Sequence, residues 1–208
     1  MAGAAARAGR PLTDVRLIAV TKIFPFEVIV GAYEGGLREF GENYVQEFEG
    51  KFPHVQQLQG ARFHLIGHLQ SNKAGKAAEM FQVIQTVDTE KLAKRLDALR
   101  KPLEVMIEVK LSEEEAAKHG AAPGDLGALV ETIRACPNLK LLGLMTMPPW
   151  SDDAETARPY FVRLRELAGQ YSLPRLSMGM SNDLEVAIEE GSTDVRVGTA
   201  LFGKRKKP

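Results

Sequence analysis

Short apolar runs alternate with amphipathic helical patterns along the whole chain. The runs are mostly continuous and contain many β-branched residues, which is typical of parallel strands that are covered on both faces. Eight segments are predicted to be strands: 17–21, 39–41, 62–66, 83–87, 103–109, 139–145, 175–178 and 195–197. Eight strand–helix units predict a single (β/α)₈ TIM barrel over residues 1–208. The rival is an open doubly wound sheet, but no Gly-x-Gly-x-x-Gly motif follows the first strand.

The helical patterns between the strands carry recognisable start and stop signals. Pro25 opens one helix and the pair Gly35–Gly36 ends it. Pro159 is expected to kink the longest helix or to mark its true start. The remaining helices are predicted at 4–8, 44–52, 71–80, 89–99, 125–135, 154–171 and from Asn182 to Gly191, where Asn182 and Glu185 form a capping pattern.

Composition narrows the class of protein. The 208 residues include 27 Lys+Arg and 27 Asp+Glu, 44% are hydrophobic, and no apolar stretch could span a membrane. A balanced charge excludes a global basic field for nucleic acid. The single cysteine, Cys136, fits a reducing compartment, so we expect a cytoplasmic protein. The first ten residues lack the apolar core of a secretory signal.

The zero net charge hides an uneven distribution. Residues 204–208 carry four positive charges, so the rest of the chain has a net charge of −4. We interpret this basic tail as a solvated end. Any anion that the body binds must then be held by local geometry, because bulk charge does not attract it.

Polar residues at the ends of the first three strands are candidates for chemistry. Lys22 follows the first strand, where partial desolvation would leave a nucleophilic amine, although many such lysines simply enter solvent. Asn43 could bind a ligand or cap the next helix. His64 could line a site or be a hydrogen-bonded core histidine. The four histidines lack metal-ligand spacing, so no zinc site is expected.

The seventh and eighth strands end in loops that suit an anion. Gly179, in the segment Ser177–Asp183, and Gly198, beside Thr199, allow close backbone approach, and barrels often bind phosphate at this place. Ordinary glycine turns are the alternative. Arg196 lies inside a strand, where a buried arginine needs a partner. A lysine, an arginine and a phosphate loop together describe pyridoxal phosphate.

Seven segments in order along the chain resemble one family. They are Ala19–Lys22, Phe40–Tyr44, His64–Lys73, Lys118–Gly120, Gly143–Met145, Ser177–Asp183 and Arg196–Thr199. The chain resembles the pyridoxal phosphate homeostasis family, also called YggS or PROSC and formerly labelled proline synthetase co-transcribed. Two departures are Thr21, where the family usually has serine, and an N-terminal helix, 1–10, that is shorter than usual.

The resemblance implies a barrel like the N-terminal domain of alanine racemase, with pyridoxal 5'-phosphate held as an internal aldimine. It further implies a protein that maintains vitamin B6 and amino-acid balance without established turnover and that delivers cofactor to apo-enzymes. We also expect a monomer. The implied cofactor-binding residues are Lys22 for the aldimine, Ser177, Ser181, Gly198 and Thr199 for the phosphate with Gly179 and Met180 in the same loop, Arg196 at the pyridine nitrogen, and Asn43, His64 and Met145 around the ring.

Two other functions remain open on the sequence. One is a pyridoxal phosphate-dependent amino-acid racemase, but alanine racemases use a tyrosine supplied with a second, β-rich domain, and all four tyrosines here fall in helix patterns. The other is an aldolase-like barrel that uses Lys22 on a sugar phosphate. That alternative explains the amine and the phosphate loop but leaves Arg196 without a role.

Overall fold

A computed structural model describes residues 1–112 and 119–203 and shows a closed barrel of eight parallel strands. The first and last strands pair with each other, from Arg16 opposite Asp194 to Ala19 opposite Val197. This closure confirms the predicted barrel and rules out the open sheet. The strands are β1 Arg16–Val20, β2 Glu39–Glu42, β3 Arg62–Leu65, β4 Val83–Val87, β5 Leu103–Glu108, β6 Leu139–Met145, β7 Arg175–Ser177 and β8 Asp194–Val197.

Helices separate the strands and pack around the barrel. They are α1 Ala2–Arg7, α2 Phe26–Glu34, α3 Val45–Val55, α4 Ala74–Met80, α5 Glu90–Asp97, α6 Leu126–Arg134, α7 Arg158–Gln170, α8 Leu184–Glu189 and α9 Thr199–Phe202. Short 3₁₀ turns lie at Leu12–Asp14, Ser71–Lys73 and Ala154–Ala157. None of the helices within 1–112 and 119–203 is long and apolar enough to cross a bilayer.

Alternate residues of the strands face two different apolar layers. Ile84, Val105 and Ile107 pack with the helices in the main core. Their neighbours in the strands, Val83 before Ile84 and Met106 between Val105 and Ile107, pack inside the barrel. Successive side chains of a strand point to opposite faces, so both faces must be apolar. This is why the strands read as continuous apolar runs.

Several helix boundaries differ from the prediction, and two of the differences have a clear physical reason. The helix predicted to end before Pro53 continues to Val55, because Gln56 N–H still bonds Phe52 O at 2.9 Å in the last turn. The capping pattern at Asn182 is also wrong. Helix α8 begins at Leu184, and the Asn182 amide instead donates to Ser151 O at 2.8 Å.

The N-terminal helix is short but packed. Ala4 and Ala5 are buried against Ile188 of α8 and against β8. Arg7 also bonds Glu185 and Glu189 of α8 on the surface. At the other helix in question, Pro159 lies in the first turn of α7 and thus marks its start. The basic tail 204–208 and Lys118 lie outside the described residues.

Candidate functional site

A pocket opens at the carboxyl ends of the strands, where barrel active sites lie. Loops after β1, β2, β6, β7 and β8 form its wall, and Trp150 lies at its edge with most of its surface exposed. Of the eleven predicted cofactor-binding residues, the pocket brings together seven: Lys22, Asn43, Met180, Ser181, Arg196, Gly198 and Thr199.

Lys22 occupies a tight turn at the end of β1. Phe24 N–H donates to Thr21 O at 3.1 Å, so Lys22 and Ile23 are the two central residues. The Lys22 side chain is half-buried and lines the pocket. Thr21 keeps a hydroxyl at the position where serine is usual, and that hydroxyl donates to Glu42 Oε1 at 2.7 Å.

Arg196 is a buried cation at the floor of the pocket. It is 3% exposed, and its guanidinium donates to Ser177 Oγ at 2.7 Å and to Thr146 O at 2.9 Å. Burial lowers the pKa of Arg196 to about 10, and the charges of Asp183 and Glu108 oppose that shift. Arg196 therefore stays protonated at neutral pH, and its two acceptors supply the partners that a buried arginine was expected to need.

A chain of hydrogen bonds runs from Arg196 across the barrel. Ser177 Oγ donates to Gln85 Oε1 at 2.6 Å, and the Gln85 amide then meets His64 Nδ1 at 2.9 Å. Its amide group can only donate there, so the His64 proton lies on Nε2, 2.5 Å from Glu39 Oε2. Every link donates in the same direction, toward a carboxylate.

Four predicted residues lie outside the pocket wall. Ser177 and His64 belong to the buried chain beneath it, and Met145 is fully buried in β6 next to Ser177 of β7. Gly179 shapes the β7–α8 loop. Its φ is +92°, and a Cβ there would lie 2.5 Å from Ala187 Cβ, so only glycine fits the bend.

The side of the pocket predicted to bind an anion is built from two short segments. Ser181 Oγ accepts from Ala200 N–H at 3.3 Å, which ties the β7 loop to the start of α9. Asp183 accepts from Met180 N–H at 2.6 Å, and burial raises the pKa of Asp183. Thr199 begins α9, whose first N–H groups have no partner within the helix.

Asn43 presents a buried acceptor that has no partner in the part of the chain that the structure describes. Its Oδ1 atom has no hydrogen bond within 1–112 and 119–203. The backbone of Asn43 packs tightly against Gly67, where a Cβ would lie 2.2 Å from Asn43 O. A buried carbonyl without a donor is costly, and a ligand hydroxyl or N–H would satisfy it.

Two histidines meet in a neighbouring cleft that shares Asn43 with the pocket, which their spacing did not suggest. His68, Asp88 and His119 have ligand atoms within 4.8 Å of one another. The His68 and His119 rings are stacked with centroids 3.3 Å apart and planes 10° apart. Ligand lone pairs of imidazoles lie in the ring plane, so parallel rings do not direct them to one ion.

Sequence reasoning missed Gln85, Thr146 and Asp183. Gln85 is fully buried and connects the predicted residues Ser177 and His64. Thr146 O accepts a hydrogen bond from Arg196. A polar residue in the middle of the apolar run Val83–Val87 was a signal for Gln85, since an inward polar side chain needs a partner. No comparable signal pointed to Thr146, because its backbone carbonyl makes the contact.

Comparison with known proteins agrees with this geometry. The family profile "Alanine racemase, N-terminal domain" matches residues 4–206. A protein of Pseudomonas aeruginosa named pyridoxal phosphate homeostasis protein is 47% identical, over 97% of this chain and 90% of that protein. One of the same name from Aquifex aeolicus is 43% identical, over 96% of this chain and 91% of that protein.

Solved structures give the same result. PipY of Synechococcus elongatus PCC7942, solved with PLP bound, is 38% identical with a TM-score of 0.86, and the match covers 96% of this chain and 97% of PipY. Alanine racemase from Corynebacterium glutamicum, at 16% identity, a TM-score of 0.70 and coverage of 99% and 62%, shares the fold. The chain therefore belongs to the pyridoxal phosphate homeostasis protein family, whose barrel has the fold of the N-terminal domain of alanine racemase.

Proposed function

We propose that this protein binds pyridoxal 5'-phosphate and acts in intracellular vitamin B6 and amino-acid homeostasis. The observation that carries the proposal is the pocket at the carboxyl end of the barrel. Lys22 and Arg196 meet there with two loop segments, one containing Ser181 and the other containing Thr199. Relatives named pyridoxal phosphate homeostasis protein and the PLP-bound PipY support the same ligand.

In this proposal Lys22 Nζ bonds covalently to the aldehyde carbon of the cofactor, and water leaves. Lys22 lines the pocket and is half-buried, which brings its amine within reach of a bound ligand. Ser181, Thr199 and the backbone at Gly198 hold the phosphate, with Gly179 and Met180 shaping that loop. Asn43 Oδ1 gains a donor from the ligand. Bound in this way, the cofactor supplies an electron sink for amine chemistry.

Arg196 faces the pyridine nitrogen in this arrangement. An arginine is protonated at neutral pH, so it donates a hydrogen bond and leaves that nitrogen without a proton. The electron sink is then weak, which limits turnover. Ser177 is assigned a supporting role, because its hydroxyl already accepts from Arg196 and donates to Gln85.

We further propose a cytoplasmic monomer that passes the cofactor to apo-enzymes rather than turning over an amino acid. His64 and Met145 act beneath the pocket and support its floor. The racemase alternative needs a tyrosine at the reacting carbon. Tyr33, Tyr44, Tyr160 and Tyr171 are all described, and none of them lines the Lys22 pocket.

Reduction with borohydride tests the assignment of Lys22. After incubation with pyridoxal phosphate, we expect a visible absorbance band and, after reduction, the cofactor mass on the peptide that contains Lys22. Lys22→Ala should lose both, whereas Lys76→Ala, which removes an exposed lysine of α4, should keep both. An unchanged band in Lys22→Ala would overturn the assignment. Catalytic conversion of L-alanine to D-alanine beyond one equivalent would favour the racemase.

A further inference from the structure

We propose that Lys51 and Glu47 of α3 clamp the turn that carries Lys22 and are positioning residues for its amine. The inference rests on the function proposed above for Lys22. Neither residue lines the pocket, so neither is expected to touch the cofactor.

The turn at Lys22 is strained. Ile23, its third residue, has φ of 72°, a value that type II turns require at this place and that glycine normally supplies. A β-branched side chain in this left-handed region crowds its own backbone. Ile23 is also 52% exposed, so packing of its side chain does not hold the conformation. Other contacts must hold it.

Two hydrogen bonds from one ion pair hold the backbone of the turn on both sides of Lys22. Glu47 Oε1 accepts from Ile23 N–H at 2.6 Å, on the C-terminal side of Lys22. Lys51 Nζ donates to Thr21 O at 3.0 Å, on the N-terminal side. Lys51 and Glu47 are 2.5 Å apart on successive turns of α3, so the clamp is a single unit on a rigid helix.

The clamp is anchored in the protein interior. Lys51 is 7% exposed, and its Nζ lies 3.0 and 3.2 Å from the two carboxylate oxygens of fully buried Glu42. Glu42 also accepts from the Thr21 hydroxyl at 2.7 Å. Burying such an ion pair costs free energy that an apolar pair would not. The place of this cluster directly behind Lys22 gives it a role, which is to fix the direction in which Lys22 leaves β1.

The test combines one substitution that removes the clamp with a second that removes the backbone strain in the turn. Lys51→Met removes the cation and keeps most of the stem. Ile23→Gly removes the strain, because glycine adopts positive φ freely. Lys76→Met is the matched control, since Lys76 makes an equally short bond to Glu49 on the surface of α4. Two quantities are measured: hydrogen exchange at Ile23 N–H without cofactor, and the rate at which borohydride-stable cofactor appears on Lys22.

We expect Lys51→Met to speed hydrogen exchange at Ile23 N–H and to slow cofactor attachment at Lys22, each by roughly tenfold. Without the clamp the turn is free to release the backbone strain at Ile23 and to leave the conformation that directs Lys22. Lys76→Met should change both less than about twofold. Adding Ile23→Gly to Lys51→Met should restore much of the attachment rate. A residue with a purely structural role would lower the melting temperature without this rescue.

Unchanged exchange at Ile23 in Lys51→Met, or no rescue by Ile23→Gly, would overturn the clamp. Should Lys51→Met fail to fold, Glu47→Gln serves instead, because the amide keeps the shape of partly exposed Glu47 and accepts more weakly. Its exchange at Ile23 should still rise, and equal exchange would refute the clamp. Absence of any cofactor on wild-type Lys22 would refute the proposed function, while the exchange comparison would still decide the clamp.

Discussion

Gln85 offers the sharpest test of the buried hydrogen-bond chain. Its amide is fully buried and joins Ser177 to His64, so replacing it removes two hydrogen bonds at once. Gln85→Met nearly conserves volume, which keeps any cavity or overpacking cost small. The loss then reflects the polar groups that remain buried with an unmet hydrogen bond, namely the Ser177 O–H donor, whose oxygen still accepts from Arg196, and the His64 Nδ1 acceptor.

The expected cost follows from the number of stranded groups. A buried polar group left unsatisfied costs about 1–3 kcal/mol, so two such groups lower the free energy of unfolding by about 2–6 kcal/mol. For a chain of this length each kcal/mol corresponds to about 2–4 °C, so the melting temperature should fall by about 4–24 °C. Arg196 keeps its bond to Thr146 O, and the barrel should still form.

Urea unfolding followed by circular dichroism measures this difference directly. Gln170→Met, at the exposed end of α7, is the control for the same change of residue without burial, and its effect should stay within about 0.5 kcal/mol. A Gln85→Met protein within about 0.5 kcal/mol of wild type would show that the chain is not formed as described.

Three further predictions concern the surroundings of the pocket. Thr21→Val should lower the free energy of unfolding, measured with urea, by about 1–3 kcal/mol, because it removes the hydrogen bond to Glu42. Thr21→Ser keeps that hydroxyl and should lose much less stability. Burial raises the pKa of Asp183 above 3.8, so its carboxyl is neutral in both states at low pH, and stability falls as pH rises through the folded pKa. Unfolding curves from about pH 3 to about pH 7 should show this contribution in wild type and not in Asp183→Asn, and equal pH profiles would contradict it. Gly179→Ala should lower the free energy of unfolding by about 1–3 kcal/mol because residue 179 has a positive φ. Gly31 is an exposed position of α2 where a Cβ meets nothing within 4 Å, so Gly31→Ala should raise that free energy by about 0.5–1 kcal/mol. A Gly179→Ala protein that is more stable than wild type would refute the steric argument.

Local signals predicted the elements well where one residue type decides the backbone. Pro159 marks the start of α7, as its fixed φ and missing N–H suggest. Pro53 was misleading, because a proline in the last helical turn removes one bond and leaves the others intact. Asn182 was misleading for another reason. Its side chain has a tertiary partner, Ser151 O, and so does not cap the helix.

The sequence alone determined the barrel and seven of the residues that line its pocket. Apolar runs of strand length require cover on both faces, and parallel strands place their carboxyl ends on one side, so Lys22, Ser181, Arg196 and Thr199 had to lie near one another. These conclusions depend only on local pattern and on the geometry of repeated strand–helix units, which the chain expresses along its whole length.

The tertiary structure alone decided which side chains hold that pocket in place. Ser177 and Gln85 are 92 residues apart in sequence, and Lys51 reaches Thr21 from a different helix. Partners of this kind depend on where distant strands and helices come together within a few tenths of an ångström. Local propensity contains no such distance, so the role of Ser177 beneath Arg196 and the clamp behind Lys22 emerge only from the folded chain.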